Sequence, residues 1–217
     1  MNPTPQTFEE GLKSVIAIIS LLNGNLNKRV LLAIAGGSCS GKTTFVEQIK
    51  LLLERIGINI SDLGLDDYYK GVSNPGFPHD IDGKPIFDLP ESYHINEFRS
   101  DINTLLSGKN IYSPIYDKKT LSRLTNGGRL VKAERVVMAE GLFAISALSD
   151  LGDDVVKIFI DADGHVRIGR RIIRDTVSLH NGVVEETLEF IRKRVEPYYQ
   201  KCVLPQKELA DIVIDGN

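Results

Sequence analysis

The stretch "VLLAIAGGSCSGKTTF" (Val30 to Phe45) constrains this chain more than any other. Its first six residues are apolar without interruption. Such a run reads as a strand buried on both faces, the kind found in parallel sheets. Gly36, Gly41, Lys42 and Thr43 then satisfy G-x-x-x-x-G-K-[ST], the phosphate-binding P-loop pattern. Glycines let the main chain curl until successive N–H groups point at one anion, and they let phosphate oxygens come close. Gly36, Gly37, Ser38, Cys39, Ser40 and Gly41 are therefore read as a phosphate cradle, with Thr44 beside it. Lys42 supplies a point charge for the terminal phosphates, and the Thr43 hydroxyl a ligand for Mg2+. A helix opening at Thr43 adds its positive end. The plain alternative is a flexible turn, but a buried strand before the loop and a helix after it are what phosphate binding requires. The loop is expected to hold a nucleoside triphosphate.

Around this loop, strands and helices alternate. "TFEEGLKSVIAIISLL" places Phe8, Leu12, Val15, Ile16, Ile19 and Leu22 at helical spacing, with Thr7 and Glu10 as a capping box. This N-terminal helix, an extension within residues 1–28, is expected to pack on the outside of the domain. A helix is expected from Thr43 to about Ile56 and a second strand in "INISDLGL". Another helix follows in "INEFRSDINTLL", stopped by Gly108. Short strands and turns are expected in "NIYSPIYDKKTLSRLTNGGRLVKA", then buried strands in "ERVVMAEG" and "VVKIFIDAD". Two helices come next, the second ending near Pro197, and a final strand lies in "ADIVID". Asp66 to Tyr93 has no clear period and is rich in Pro, Gly and Asp, which marks a functional or mobile loop. The alternation predicts one α/β domain over residues 1–217, a mainly parallel sheet with helices on both faces.

In such sheets ligands sit beyond the carboxyl ends of the strands, and two predicted strands deliver acids there. Glu140 suits the Walker-B place near Mg2+. Asp66 suits the base that accepts a hydroxyl proton during phosphoryl transfer, with Asp67 the weaker choice. Turn acids and caps are the ordinary alternative, but two such acids in one sheet with a P-loop point to chemistry. Arg167, Arg170, Arg171 and Arg174 fall on one stripe of the helix "HVRIGRRIIRD". Either they pair with acids in solvent, or one or two meet the phosphates in a helical lid covering about 163–200. Glu185, Glu189 and Lys193 read as surface pairing.

These residues together resemble the uridine kinase family, relatives of phosphoribulokinase, over about Val30 to Ile214. The matching stretches are "GGSCSGKTT", "LDDYYK", "FDLPES", "SPIYDKKTLSR", "AEGLF", "IDADGHVRIGRRIIRD" and "LPQKELADIVI". The resemblance implies a P-loop NTPase fold with a five-stranded parallel core and ATP with Mg2+ as the phosphoryl donor. It implies that Asp66 is the catalytic base with Lys42 on the phosphates, and that Glu140 and Thr43 serve the metal. It further implies that Tyr69, Phe87, Asp88, Tyr116 and Arg123 line the substrate, Asp88 on ribose hydroxyls. Arg171 and Arg174 match lid arginines that meet phosphates. Members often form homo-oligomers. The chain departs from the family in three places. Leu121 stands where a histidine usually hydrogen-bonds the pyrimidine. "TVSLHNGVV", offering only His180, replaces an R-G-R lid segment. "FDLPESYH" replaces "FDHPDAFD".

The expected activity is phosphorylation of a small molecule's hydroxyl, first the 5′-hydroxyl of uridine or cytidine. The alternatives are another hydroxylated metabolite, such as a sugar phosphate or vitamin-like alcohol, or a regulatory nucleotide-binding protein without turnover. A guanine-nucleotide switch is disfavoured, because the one Asn-Lys pair, Asn27-Lys28, precedes the loop and is not followed by x-Asp. A formal net charge of -3 gives nucleic acid no support as a partner. "VIAIISLL" is too short to span a membrane, and no basic leader precedes it. With only two cysteines, one inside the phosphate loop, a cytoplasmic setting is expected.

Overall fold

Thr7 and Glu10 start the first helix reciprocally: Thr7 N–H donates to Glu10 Oε2 at 2.8 Å, and Glu10 N–H donates to Thr7 Oγ1 at 3.3 Å. The computed structural model describes residues 3–23, 29–152, 155–178 and 183–217, with the side chains of 22, 23, 177 and 178 left aside. Leu22 as a packing residue, and His180 with the centre of its lid segment, therefore lie outside the described residues.

The helices are α1 (Phe8–Asn23), α2 (Lys42–Arg55), α3 (Ile95–Leu106), α4 (Ala144–Leu148), α5 (Gly164–Ser178), α6 (Val184–Phe190) and the single turn α7 (Glu196–Tyr198). The strands are β1 (Val30–Gly36), β2 (Ile60–Gly64), β3 (Ile111–Ser113), β4 (Tyr116–Asp117), β5 (Ser122–Arg123), β6 (Arg129–Val131), β7 (Val136–Glu140), β8 (Val155–Asp161) and β9 (Ile212–Asp215). Five of them form one parallel sheet in the order β2-β7-β1-β8-β9. β3 pairs with β6 and β4 with β5, both antiparallel.

β1 is buried at every position, as its apolar run requires. Its alternate residues serve two cores. Leu31, Ala33 and Ala35 join Tyr68, Phe98, Ile102, Phe143 and Phe159 on one face. Leu32 and Ile34 join Val15, Ile19, Phe45, Ile49 and Leu53 on the other. α3 turns Phe98, Ile102 and Leu105 inward as its spacing predicts, and Gly108 follows it with a φ of 88°.

α1 packs against α2 and one face of the sheet. Val15 and Ile19 are fully buried, and Phe8 meets the Phe45 ring of α2 edge-on at 5.2 Å. Just before α1, Gln6 bridges Ile214 in parallel, with its N–H on Val213 O at 2.9 Å. The N-terminal segment thus covers the outer edge of β9.

Asp66 and Asp67 lie on a 3₁₀ turn, Leu65–Tyr68, immediately after the carboxyl end of β2. One expectation needs correction. The last helical stretch does not stop near Pro197. It continues from α6 through π-helical turns at Ile191–Val195 and Tyr199–Val203, which flank α7, into a 3₁₀ turn at Leu204–Leu209. Proline lacks an N–H and crowds the turn before it, and the helix meets both problems by widening on either side. No helix among the described residues is long and apolar enough to cross a membrane.

Candidate active site

The phosphate loop leaves β1 at Gly36, where close packing explains the residue. A Cβ there would lie 2.4 Å from Ile160 O and 2.8 Å from Ser40 Oγ, and φ is 152°. Cys39 (φ 61°) and Gly41 (φ 102°) are left-handed, the alternation that turns successive N–H groups to one side. Gly41 leads directly into α2, so the helix N-terminus points into the loop. Lys42 folds over the loop and donates from Nζ to Gly36 O at 2.9 Å and Gly37 O at 2.8 Å. Burial lowers the Lys42 pKa, and the carboxylates of Glu140 and Asp66 oppose that effect.

The Ser40 side chain is fully buried with no partner for Oγ among the described residues, and its N–H donates to Gly37 O at 3.1 Å.

The sheet register brings the acids to the loop. Glu140 ends β7 and pairs in register with Ile34 of β1 and Gly64 of β2. The Thr43 hydroxyl donates to Glu140 Oε2 at 3.4 Å. A hydroxyl and a carboxylate so placed are the protein ligands that Mg2+ takes alongside phosphate oxygens and water. Burial raises the Glu140 pKa, and nearby Lys42 restrains the rise. Asp66, two residues past β2, receives a 2.8 Å bond from Lys118 Nζ, which extends from the turn between β4 and β5. Asp67 is half-buried and faces Arg129 at 3.9 Å. Burial raises its pKa, with Arg129 pulling the other way.

Beside Asp66 lies a buried cluster of aromatic rings. Tyr69 stacks on Tyr93 at 4.0 Å, meets Phe87 edge-on at 5.6 Å and lies 5.2 Å from Tyr116. The hydroxyls of Tyr93 and Tyr69 are hydrogen-bonded to each other. The Tyr116 hydroxyl is buried with no partner among the described residues. Asp88 is buried next to Phe87, and burial pushes its carboxyl up to about 6, against the pull of Arg171 and Lys42.

The arginine stripe divides. Arg167 is structural: it is buried, lies 3.6 Å over the Tyr199 ring and donates to Ala162 O at 3.1 Å and to Glu196 at 3.2 Å. Arg170 reaches Gly216 O at 2.6 Å. Arg171 donates to Ser38 Oγ at 3.1 Å, directly on the phosphate loop. Asp175 holds both Arg171 Nε (3.3 Å) and Arg174 Nε (2.8 Å). Arg123 is not free for a substrate, because its two terminal nitrogens clamp Glu97 at 2.7 and 2.8 Å. Glu189 and Lys193 form the expected exposed pair at 2.7 Å.

Sequence reasoning missed two contributors. Tyr93 sits in the departing "FDLPESYH" stretch, and its added hydroxyl was a readable signal. Lys118 follows "YD", yet nothing local links it to Asp66, 52 positions earlier. Leu121, packed against the core at a φ of 51°, presents only methyl groups where the family carries a histidine.

The model of the Phosphoribulokinase / Uridine kinase family matches residues 31–216. The chain is 34% identical over 186 residues to a chloroplastic uridine/cytidine kinase of Arabidopsis thaliana, covering 85% of this chain but 37% of that protein. To the uridine kinase of Ligilactobacillus salivarius it is 33% identical over 190 residues, covering 87% of this chain and 85% of the relative. The solved structure of a possible uridine kinase from Bacillus stearothermophilus superposes with a TM-score of 0.57 at 20% identity, over 93% of this chain and all of that one. The last likeness shows the shared α/β P-loop fold. The chain thus spans just over a third of the first relative and most of the second.

Proposed function

This chain belongs to the phosphoribulokinase / uridine kinase family, and from that membership we propose that it transfers the γ-phosphoryl group of ATP to the 5′-hydroxyl of a nucleoside. The observation that carries the reading is the convergence of three separate stretches. Lys42 and Thr43 end the phosphate loop, Glu140 meets Thr43 at 3.4 Å, and Asp66 lies on the turn that follows the neighbouring β2.

The residues divide the work. Loop N–H groups, Lys42 and the α2 N-terminus bind and orient the triphosphate. Thr43 and Glu140 would hold Mg2+, which when bound neutralises charge on the β- and γ-phosphates. Tyr69, Phe87, Tyr93 and Tyr116 enclose the acceptor in an apolar, water-poor pocket, and Asp88 accepts hydrogen bonds from its hydroxyls. Asp66 takes the proton of the attacking hydroxyl as its oxygen bonds to the γ-phosphorus and the bond to the β-phosphate oxygen breaks, leaving ADP. Arg171 and Arg174 meet the charge of the transferring group. Phosphoryl transfer relies on positioning more than on basicity, so a carboxylate suffices as base.

Leu121 favours a second reading for the acceptor, in which the same chemistry acts on a hydroxylated molecule without a hydrogen-bonded pyrimidine. Leucine offers no donor or acceptor to a base. The two free cysteines fit a reducing, cytoplasmic setting, and assembly into a homo-oligomer belongs to the same proposal. The deciding experiment is ATP consumption across nucleosides, sugar phosphates and vitamin-like alcohols, with Lys42→Ala as the blank. Turnover with uridine or cytidine supports the first reading, turnover with another acceptor the second. Consumption equal to the blank with every acceptor defeats both.

A further inference from the structure

The segment before Phe87 and Asp88, aperiodic in sequence, is a small hairpin. His79 and Pro85 pair antiparallel, Ile86 N–H donates to Pro78 O at 3.0 Å, and Asp80 N–H donates to Lys84 O at 2.9 Å. Its base is held firmly: Ser92 Oγ donates to Ile86 O at 2.6 Å, and Phe77 meets Phe87 edge-on at 5.3 Å. The chain passes from this hairpin into Phe87 and Asp88 with no residue between, so wherever the hairpin docks, those two side chains follow.

The tip depends on Asp80. One carboxylate oxygen accepts the N–H groups of Asp82 (2.9 Å) and Lys84 (2.8 Å), which shapes the turn. The other accepts Nε of Arg194 at 2.6 Å. That pair is largely removed from water, with Asp80 at 19% and Arg194 at 11% side-chain exposure, whereas Ile81, Asp82, Gly83 and Lys84 are exposed. Lys193 adds its charge opposite Asp82.

Arg194 lies on the π-helical turn Ile191–Val195 and places its guanidinium 5.9 Å from the centre of the Phe190 ring. Arg171 approaches the same ring at 5.3 Å while bonding Ser38 of the phosphate loop. One run of contacts therefore links the phosphate loop to the hairpin tip, through Ser38, Arg171, Phe190, Arg194 and Asp80.

We propose that Arg194 is a positioning residue for the acceptor. It docks hairpin 78–86 on the lid helix and so fixes Phe87 and Asp88 against the acceptor pocket. The inference rests on the kinase reading of that pocket. The bond between the two is charge-assisted and sheltered from water, so docking persists only while both partners are present. The guanidinium also lies within cation–π range of the Phe190 ring while its Nε holds Asp80, a pair of contacts that a lysine at this position would not reproduce.

The test combines amide hydrogen exchange on the ligand-free protein with steady-state kinetics, for Arg194→Met, Asp80→Asn, the double variant and Arg194→Lys. The double variant removes the pair without stranding a charge. Exchange over residues 79–86 is expected to quicken about tenfold in the first three and less in Arg194→Lys, with the sheet unchanged. The acceptor KM is expected to rise about fivefold or more, while the ATP KM and kcat stay within about twofold. Unchanged exchange in the double variant, or ATP and acceptor KM rising together, overturns the proposal. Wild-type protein that phosphorylates no acceptor removes the kinase reading and the positioning role with it, while the exchange data still decide the docking.

Discussion

The ammonium of Lys118 lies 2.8 Å from Oδ2 of Asp66, so the carboxylate proposed as the base is ion-paired. Both partners remain open to water, at 70% and 49% side-chain exposure. Exposed pairs of this kind contribute about 0.2–1 kcal/mol. Lys118→Met is therefore expected to leave the denaturation midpoint nearly unchanged. Because Lys118 competes with the acceptor for Asp66, the acceptor KM is expected to fall by about 1.4- to 5-fold, the equivalent of that energy. A rise in KM would show that Lys118 binds the acceptor instead.

Asp66→Asn keeps the shape of the 3₁₀ turn and removes the proton acceptor. ATP binding, read by thermal shift or calorimetry, is expected to stay within about twofold of wild type, while kcat falls about 10²- to 10⁴-fold. Retained turnover would take Asp66 out of the base role.

Asp88 predicts a pH effect on stability. Its carboxyl is pushed up to about 6 in the folded protein, from an ordinary value of 3.8, because burial disfavours the charge. Between about pH 4 and 6 the folded state holds the proton more tightly than the unfolded chain, so stability falls as pH rises through that window. Above it the cost is on the order of 3 kcal/mol. Asp88→Asn is expected to raise the urea midpoint of the ligand-free protein at pH 7.5 and to lose that advantage at pH 4. Equal midpoints at pH 7.5 would count against a buried, charged Asp88.

Leu121 predicts weak base discrimination. Sites that hydrogen-bond a base reject the wrong one strongly, whereas apolar contacts discriminate by about 10- to 200-fold per methylene-sized difference at most. Uridine and cytidine should have kcat/KM values within about tenfold of each other, and Leu121→His should widen the gap. A sharp wild-type preference for one pyrimidine would point to a different reader.

Ser40 predicts a stability gain. Its buried hydroxyl has no partner among the described residues, and such groups cost about 1–3 kcal/mol. Ser40→Ala should stabilise the ligand-free protein by about 1 kcal/mol with the ATP KM little changed. A loss of stability in urea titration would mean that the hydroxyl is hydrogen-bonded after all.

What the sequence determined by itself is whatever neighbouring residues can dictate. The phosphate loop is contiguous, and glycines next to Lys42 and Thr43 are needed whatever surrounds them. The Thr7–Glu10 cap, the inward face of α3 and the parallel strands were legible for the same reason: short-range periodicity and backbone preference act within a turn or two. The turn that carries Asp66 and the helix that runs past Pro197 were less legible, because local propensity there yields to packing. Only the tertiary structure decided how the arginines of the stripe divide. Arg167 is drawn over the Tyr199 ring, whereas Arg171 reaches Ser38 Oγ and Arg170 reaches Cys39 O, although all are candidates on one stripe in the sequence. It likewise decided that Lys118 meets Asp66 and Arg194 meets Asp80, partners 52 and 114 positions apart. A charge selects its partner by distance and shelter from water, and those are properties of the folded chain.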